Sequence, residues 1–251
     1  MSRGLIVAAA FATAACGSNS GEVAPPDVQA LTAEDVYERV AQAVNRTSEV
    51  YYAKVDVRVD GGAYFSYQGV QQRWVYGLGG LARETWRADS AGDGAISRED
   101  KITVGDEEYE ISELDEQVVK SPATQCRGIT AAVSTMLACP FRPADDDTDV
   151  EGAVFDGKRA IVLVRNAESE GNDESFVYNF RLYLDASTYL PLVLEMDGVA
   201  NDAQPLNGRW LYENKFVPLD SLTKDHFDPG TIGYVDTPQS PEPTPGRVPG
   251  T

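Results

Sequence analysis

Histidine and cysteine are scarce in this 251-residue chain, and each scarcity closes off chemistry. His226 is the single histidine, so no second imidazole completes a histidine-rich metal site, and any Ser–His or Cys–His pair would depend on that one ring. It stands in KDHFDP, where Phe227 is expected to dock the last segment on the core, and no catalytic role is assigned to it. No G-x-S-x-G elbow, H-E-x-x-H helix or phosphate-cradling glycine loop is present. Acids are abundant, but nothing singles out a pair for glycosidic hydrolysis. The chain reads as a binding protein without cofactor rather than an enzyme.

Positive charge is also short. Twenty-one Lys and Arg face forty Asp and Glu, a net charge of −19, and such a surface as a whole repels nucleic acid and anionic headgroups. A long hydrophobic run is missing too. Gly4 to Ala15, behind Arg3, is apolar but well short of the roughly 20 residues a membrane-crossing helix needs, so residues 1–15 suit an export signal. The run ends Thr13-Ala14-Ala15-Cys16, which resembles a bacterial lipobox, with Cys16 the lipidated residue that anchors the protein to the outer face of a cell membrane. Residues 16–30 then form the lipidated cysteine and a Gly/Ser/Pro-rich flexible tether, and 237–251, with five prolines, a disordered tail.

With Cys16 spent on lipid, Cys126 and Cys139 remain, and an even remainder in an exported protein implies a disulfide. A straight helix between them would span about 20 Å, far beyond the roughly 4.4–6.8 Å between Cα atoms of a bridged pair, so the segment must double back. A short helix from Ile129 to Leu137, entered through Gly128 and stopped by Pro140, fits that need.

Residues 31–236 form one domain. Thr32 and Asp35 make a capping-box-like start to a helix from Ala33 to about Thr47. The period then changes to two: in YYAKVDVRVD, Tyr51, Ala53, Val55, Val57 and Val59 share one face. Further strands are separated by Gly-rich turns; RAIVLVRN, apolar on both faces, is expected to be central. The total is about ten antiparallel strands and two helices, an α+β, mainly β chain. Two short helices are too few to cover so wide a sheet, so a curved sheet wrapped around them would leave an apolar cleft.

The order of elements resembles the LolA/LolB-like lipoprotein-carrier superfamily, including the LppX/LprG and RseB-like exported proteins. It is carried by the helix DVYERVAQAV, the strand ARETWRA, the hairpin ITVGDEEYEI, the helical insert, FRLYLDASTYLPLVLEM and DSLTKDHFDP. The resemblance implies an unclosed antiparallel half-barrel with the N-terminal helix and the insert on its concave side, holding an acyl lipid or similar apolar ligand for envelope transport or sensing. It also implies that no catalytic residues are carried over. An RseB-like module with a filled core that contacts an envelope protein is the alternative. Cavity-lining candidates are Trp74, Trp86 and Trp210 on strands, Ile129, Val133, Met136 and Leu137 on the insert, and Phe180 and Leu182 on FRLYL. The acidic stretches 89–100 and 145–149 have some calcium-loop spacing but are read as turns and solvated loops, so no metal site is assigned.

Overall fold

The first helix begins where the spacing of Thr32 and Asp35 requires. In the computed structural model, which describes residues 23–61, 66–90, 96–111, 118–123, 130–137, 148–170, 175–200 and 204–232, the Thr32 hydroxyl accepts the Asp35 N–H at 3.1 Å. The Asp35 carboxylate returns the bond from the Thr32 N–H at 2.8 Å. This reciprocal cap opens α1, Ala33–Val44, whose Val36, Tyr37, Val40 and Val44 form one buried stripe. The helix ends earlier than Thr47: Asn45 leaves helical geometry at ψ 70°, with its N–H still on the Ala41 carbonyl, and the chain turns into a strand.

Among the described residues eleven strands follow. They are β1 (Glu49–Asp60), β2 (Ser66–Tyr76), β3 (Leu81–Ser90), β4 (Ile96–Val104), β5 (Glu107–Ile111), β6 (Val118–Pro122), β7 (Thr148–Phe155), β8 (Lys158–Glu170), β9 (Ser175–Asp185), β10 (Pro191–Ala200) and β11 (Gln204–Pro218). All lie in one antiparallel sheet of order β6-β5-β4-β3-β2-β1-β11-β10-β9-β8-β7. The sheet is not closed: β6 and β7 are its two edges. The first and last strands meet in the middle, β1 pairing β11 from Glu49↔Pro218 to Asp60↔Asn207.

The edges β6 and β7 are strands that no sequence segment marked, within a total close to the ten or so expected. β6 is five residues, all at least partly exposed, and β7 is interrupted by Gly152, so neither carries the alternation that marks a half-buried strand. RAIVLVRN becomes β8, next to an edge rather than central. Its second apolar face is real nonetheless: Val162 and Val164 are buried on the outer side, where Val162 pairs with Tyr183, whose ring lies 5.4 Å from that of Phe155.

Turns 77–80, 105–106, 156–157 and 186–190 share one end of the sheet, the lower rim. Asp156 and Gly157, both at positive φ (48° and 73°), make the tight β7–β8 hairpin turn whose twist matches the strands. β6 and β7 both run toward this rim, so the connection between them must travel back up and across from one edge to the other. It carries α2, Ala131–Ser134, continued by a 3-10 turn Thr135–Leu137, against α1 and β2–β4 on the concave side. The core lies between this face and the two helices, with Val55, Leu163, Leu184 and Leu194 meeting Val40, Val133 and Met136.

Structured chain also starts before Leu31. Val28 and Leu31 pack against the core, and the Pro26 carbonyl stands 2.3 Å from where a Cβ on Gly152 would be, so residues expected in the tether run beside β7. Cys16, Cys126, Cys139, Ile129, the tail after Ile232, residues 91–95 of the first acidic stretch and 145–147 of the second lie outside the described residues. Among the described residues no helix is long and apolar enough to cross a membrane, and no group of His, Cys, Asp and Glu could hold a metal ion.

Candidate functional site

On the concave face the register assembles an aromatic floor from distant strands. Tyr178 and Phe180 on β9, Met196 on β10, Trp210 on β11, Tyr67 on β2 and Trp86 on β3 all point inward, because each pairs with a residue of the buried face. The indole of Trp210 lies over Gly208: a Cβ there would be 2.5 Å from Cζ3 of the ring and 3.0 Å from Cε of Met196. Tyr67 and Trp86 meet edge to face at 5.6 Å, and Tyr178 and Phe180 are tilted at 5.7 Å. Trp210, Phe180 and Met196 are buried, whereas Tyr67, Trp86 and Tyr178 are only partly so. The floor is therefore graded from closed core to accessible aromatic surface toward the upper rim.

The lower half of the concavity is filled. Val133, Met136 and Leu137 are 1%, 0% and 3% exposed, packed with Leu182 into the same core as α1. What holds α2 there is Arg73, a charged residue on the buried face of β2. Its guanidinium donates to the Thr135 carbonyl (3.0 Å), the Tyr212 hydroxyl (3.2 Å) and Gln71 Oε1 (2.8 Å). Its Nε also forms an ion pair with Glu84 at 2.6 Å, a contact without the alignment of a hydrogen bond. Burial opposes the charge of Arg73, but Glu84 and the hydroxyls of Tyr212 and Tyr51 outweigh it and hold the guanidinium above its usual range. Burial pushes the Tyr212 hydroxyl up.

The structure thus brings together Trp86, Val133, Met136, Leu137, Phe180, Leu182 and Trp210. It does not bring Trp74 to them. Trp74 pairs with Tyr52 on the outer face, their rings tilted against each other at 5.3 Å. His226 and Phe227 are there too: the His226 ring is 4.9 Å from Trp74 and 4.8 Å from Phe227, so the last segment docks on the outside of the sheet. Arg83 ties it down, bonding the His226 carbonyl at 3.0 Å while pairing with the buried Asp100. Burial, and then Arg83, push the His226 imidazole down to about 4, and its Nε2 is buried without a hydrogen-bond partner. The single imidazole and the aromatic floor are on opposite faces.

Sequence reasoning missed Tyr67, Tyr178 and Met196; their places in alternating strands were a usable signal. It also missed two clefts at the lower rim. One, of about 770 Å³, lies between α1 and the β9–β10 turn, with Arg39, Arg46, Tyr189 and Phe216 on its walls. The other, of about 500 Å³, lies between the segment Pro26–Leu31 and β8. Tyr189 borders both and adopts φ +58°, a left-handed conformation that costs a bulky residue roughly 1–2 kcal/mol. Asp185 holds it so: its carboxylate accepts the Ser187 and Thr188 N–H groups and its carbonyl that of Tyr189. The Ser187 hydroxyl and these N–H bonds overcome partial burial and keep the Asp185 carboxyl below its usual range.

The class defined by this architecture is an unclosed antiparallel half-barrel with helices in its concavity. No family model and no curated protein matches the chain. Solved structures similar to it include a putative outer membrane lipoprotein-sorting protein domain from Vibrio parahaemolyticus, at 9% identity and TM-score 0.38, covering 78% of this chain and 96% of that one. A LolA superfamily protein from Nitrosomonas europaea is similar at 12% identity and TM-score 0.32, covering 78% and 100%. A DUF1329 family protein from Desulfovibrio piger is similar at 11% identity and TM-score 0.37, covering 80% and 97%.

Proposed function

We propose that this protein is an exported lipoprotein, anchored through Cys16 to the outer face of a bacterial membrane, whose half-barrel takes an acyl-bearing or other apolar ligand for envelope transport or sensing. The observation that carries this is the aromatic floor, where partly exposed Tyr67, Trp86 and Tyr178 continue a buried surface of Trp210, Phe180 and Met196. Rings on the inner side of a sheet offer large apolar faces to a chain, with the hydroxyls of Tyr67 and Tyr178 and the indole N–H groups of Trp86 and Trp210 confined to the ring edges. An acyl chain of about fifteen methylenes gains roughly 12 kcal/mol gross on transfer, before ordering costs. The reading includes a Cys126–Cys139 bridge bracing the helical insert and an acyl lipid as the main partner.

A second reading has its own observation. The filled lower half, with Val133, Met136 and Leu137 buried under α1, leaves less room than a deep carrier cavity and favours an interaction module that contacts an envelope protein. Native mass spectrometry with lipid extraction on the Cys16→Ser chain, exported from a bacterial host, separates the two. A stoichiometric acyl-bearing species that Trp86→Ala releases supports ligand binding. A clean apo mass, with no uptake of a fluorescent C16 fatty acid afterwards, supports the interaction module.

A further inference from the structure

Four arginines of this acidic chain form ion pairs: Arg46 with Glu49, Arg73 with Glu84, Arg83 with Asp100 and Arg209 with Glu195. Two that border the smaller lower-rim cleft do not, although Arg39 feels the charge of Asp35 one turn earlier on α1. Among the described residues neither Arg39 nor Arg159 forms an ion pair, although both line the same space of about 500 Å³. Arg39 makes one hydrogen bond, to the hydroxyl of Tyr189, and its guanidinium carbon stands 5.3 Å from that ring's centroid. Among the described residues the remaining guanidinium donors of the two arginines have no acceptor. The floor between the two arginines is apolar, formed by Ile161, which is buried, and by Val28 and Leu31. One acid lines the cleft, Asp27, whose Oδ1 accepts the Gln29 N–H at 3.1 Å.

We propose that this cleft is a second ligand site, for an anionic membrane lipid whose phosphate or carboxylate headgroup lies between Arg39 and Arg159 and whose chain lies on Val28, Leu31 and Ile161. Charge complementarity chooses the headgroup. An arginine fork matches a phosphate or carboxylate bidentately, and the general acidity of the surface keeps anions from most other places. The size is that of a small-molecule site. Position chooses the source. The wall of the cleft begins at Pro26, and on the proposed anchor at Cys16, on which this choice of source rests, the intervening chain spans at most about 36 Å, so the cleft lies within reach of the bilayer surface. The site is separate from the concave floor and does not require it. The larger cleft beside it is less suited, because Asp35 and Glu38 line it as well.

The test is isothermal titration calorimetry on the full Cys16→Ser chain with n-dodecyl phosphate, n-dodecyl maltoside and inorganic phosphate, each below any micelle concentration. One equivalent of dodecyl phosphate is expected to bind, at least tenfold tighter than the maltoside, with no measurable heat from inorganic phosphate. Arg39→Gln and Arg159→Gln, both at solvent-facing positions, should each weaken dodecyl phosphate about tenfold, and Trp86→Ala should leave it unchanged. Equal binding of the maltoside, or insensitivity to both arginine variants, overturns the proposal. Loss with Trp86→Ala instead would overturn it while leaving the concave-floor reading intact. Tight binding of inorganic phosphate would make this a free-anion site and overturn the lipid assignment.

Discussion

Gly208 and Trp210 sit two residues apart on the same face of β11, and the indole of the second occupies the space above the first, 2.5 Å from where a Cβ would stand. The missing side chain is what lets the ring lie across the strand and reach Met196. Gly208→Ala should force the ring to tilt and cost about 1–3 kcal/mol, as overpacking of a filled site does. Urea unfolding measures the loss, and a changed near-ultraviolet dichroism of the folded protein reports the ring. An unchanged spectrum with unchanged stability would mean that the ring has room elsewhere.

Arg73 carries the junction between α2 and the sheet. Arg73→Met leaves the partly buried Glu84 with only Lys101, opposite it on β4, and the Thr135 carbonyl without a donor, a loss of about 1–3 kcal/mol. Adding Glu84→Leu should recover a large part of that loss, because the stranded charge goes with it. Hydrogen exchange gives the local readout: the Ser134 N–H, bonded to the Thr130 carbonyl, should lose protection in the single variant.

The pH response of the outer face has a definite sign. Folding pushes the His226 imidazole down to about 4 from its ordinary 6.5, by burial first and then by Arg83. Between these values the unfolded chain binds a proton that the folded one refuses, so this contribution to stability is whole above 6.5 and lost as the pH falls toward 4. The residue is partly exposed, so the loss is about 1 kcal/mol after solvent screening. Urea midpoints of the wild type should fall more steeply through that window than those of His226→Gln. Parallel curves would remove the imidazole from the account.

The expected bridge between Cys126 and Cys139 is checked by alkylation with and without reductant, read by mass. The exported chain should take up label at both only after reduction. Replacing both by Ala should cost about 3 kcal/mol, the chain-entropy value for a loop of this length. Free thiols in the unreduced protein would leave the insert held by Arg73 and its apolar stripe alone.

A charge at Val133 separates packing from binding. The residue is 1% exposed, so Val133→Asp should unfold or severely loosen the domain, at a cost of several kcal/mol, whereas Trp86→Ala, on a partly exposed ring, should leave the fold standing. Circular dichroism melts of the two variants decide this. A folded, stable Val133→Asp protein would reveal space beside α2.

Much of the architecture follows from residue order, because alternation and capping are local. The inward set Tyr51, Ala53, Val55, Val57 and Val59 can be read from period two, and the start of α1 from the reach of one hydroxyl and one carboxylate across a single turn. Sheet faces at a distance are different, since they depend on register across hairpins. Trp74 and Trp86 look alike in sequence, yet the turn at 77–80 pairs Trp74 with Arg83 and Gln71 with Trp86, so one indole faces outward and the other inward. A shift of one residue would put both on one face, and nothing in either strand alone selects the register. The lower-rim cleft is further still from the sequence. Arg39, Arg159 and Tyr189 come from a helix, a strand and a turn, and they meet only because the sheet curves until α1 packs between its two halves. Local order determined which strands and helices could form; the long-range pairing of β1 with β11, which joins the two halves of the unclosed sheet, decided which side chains share a surface.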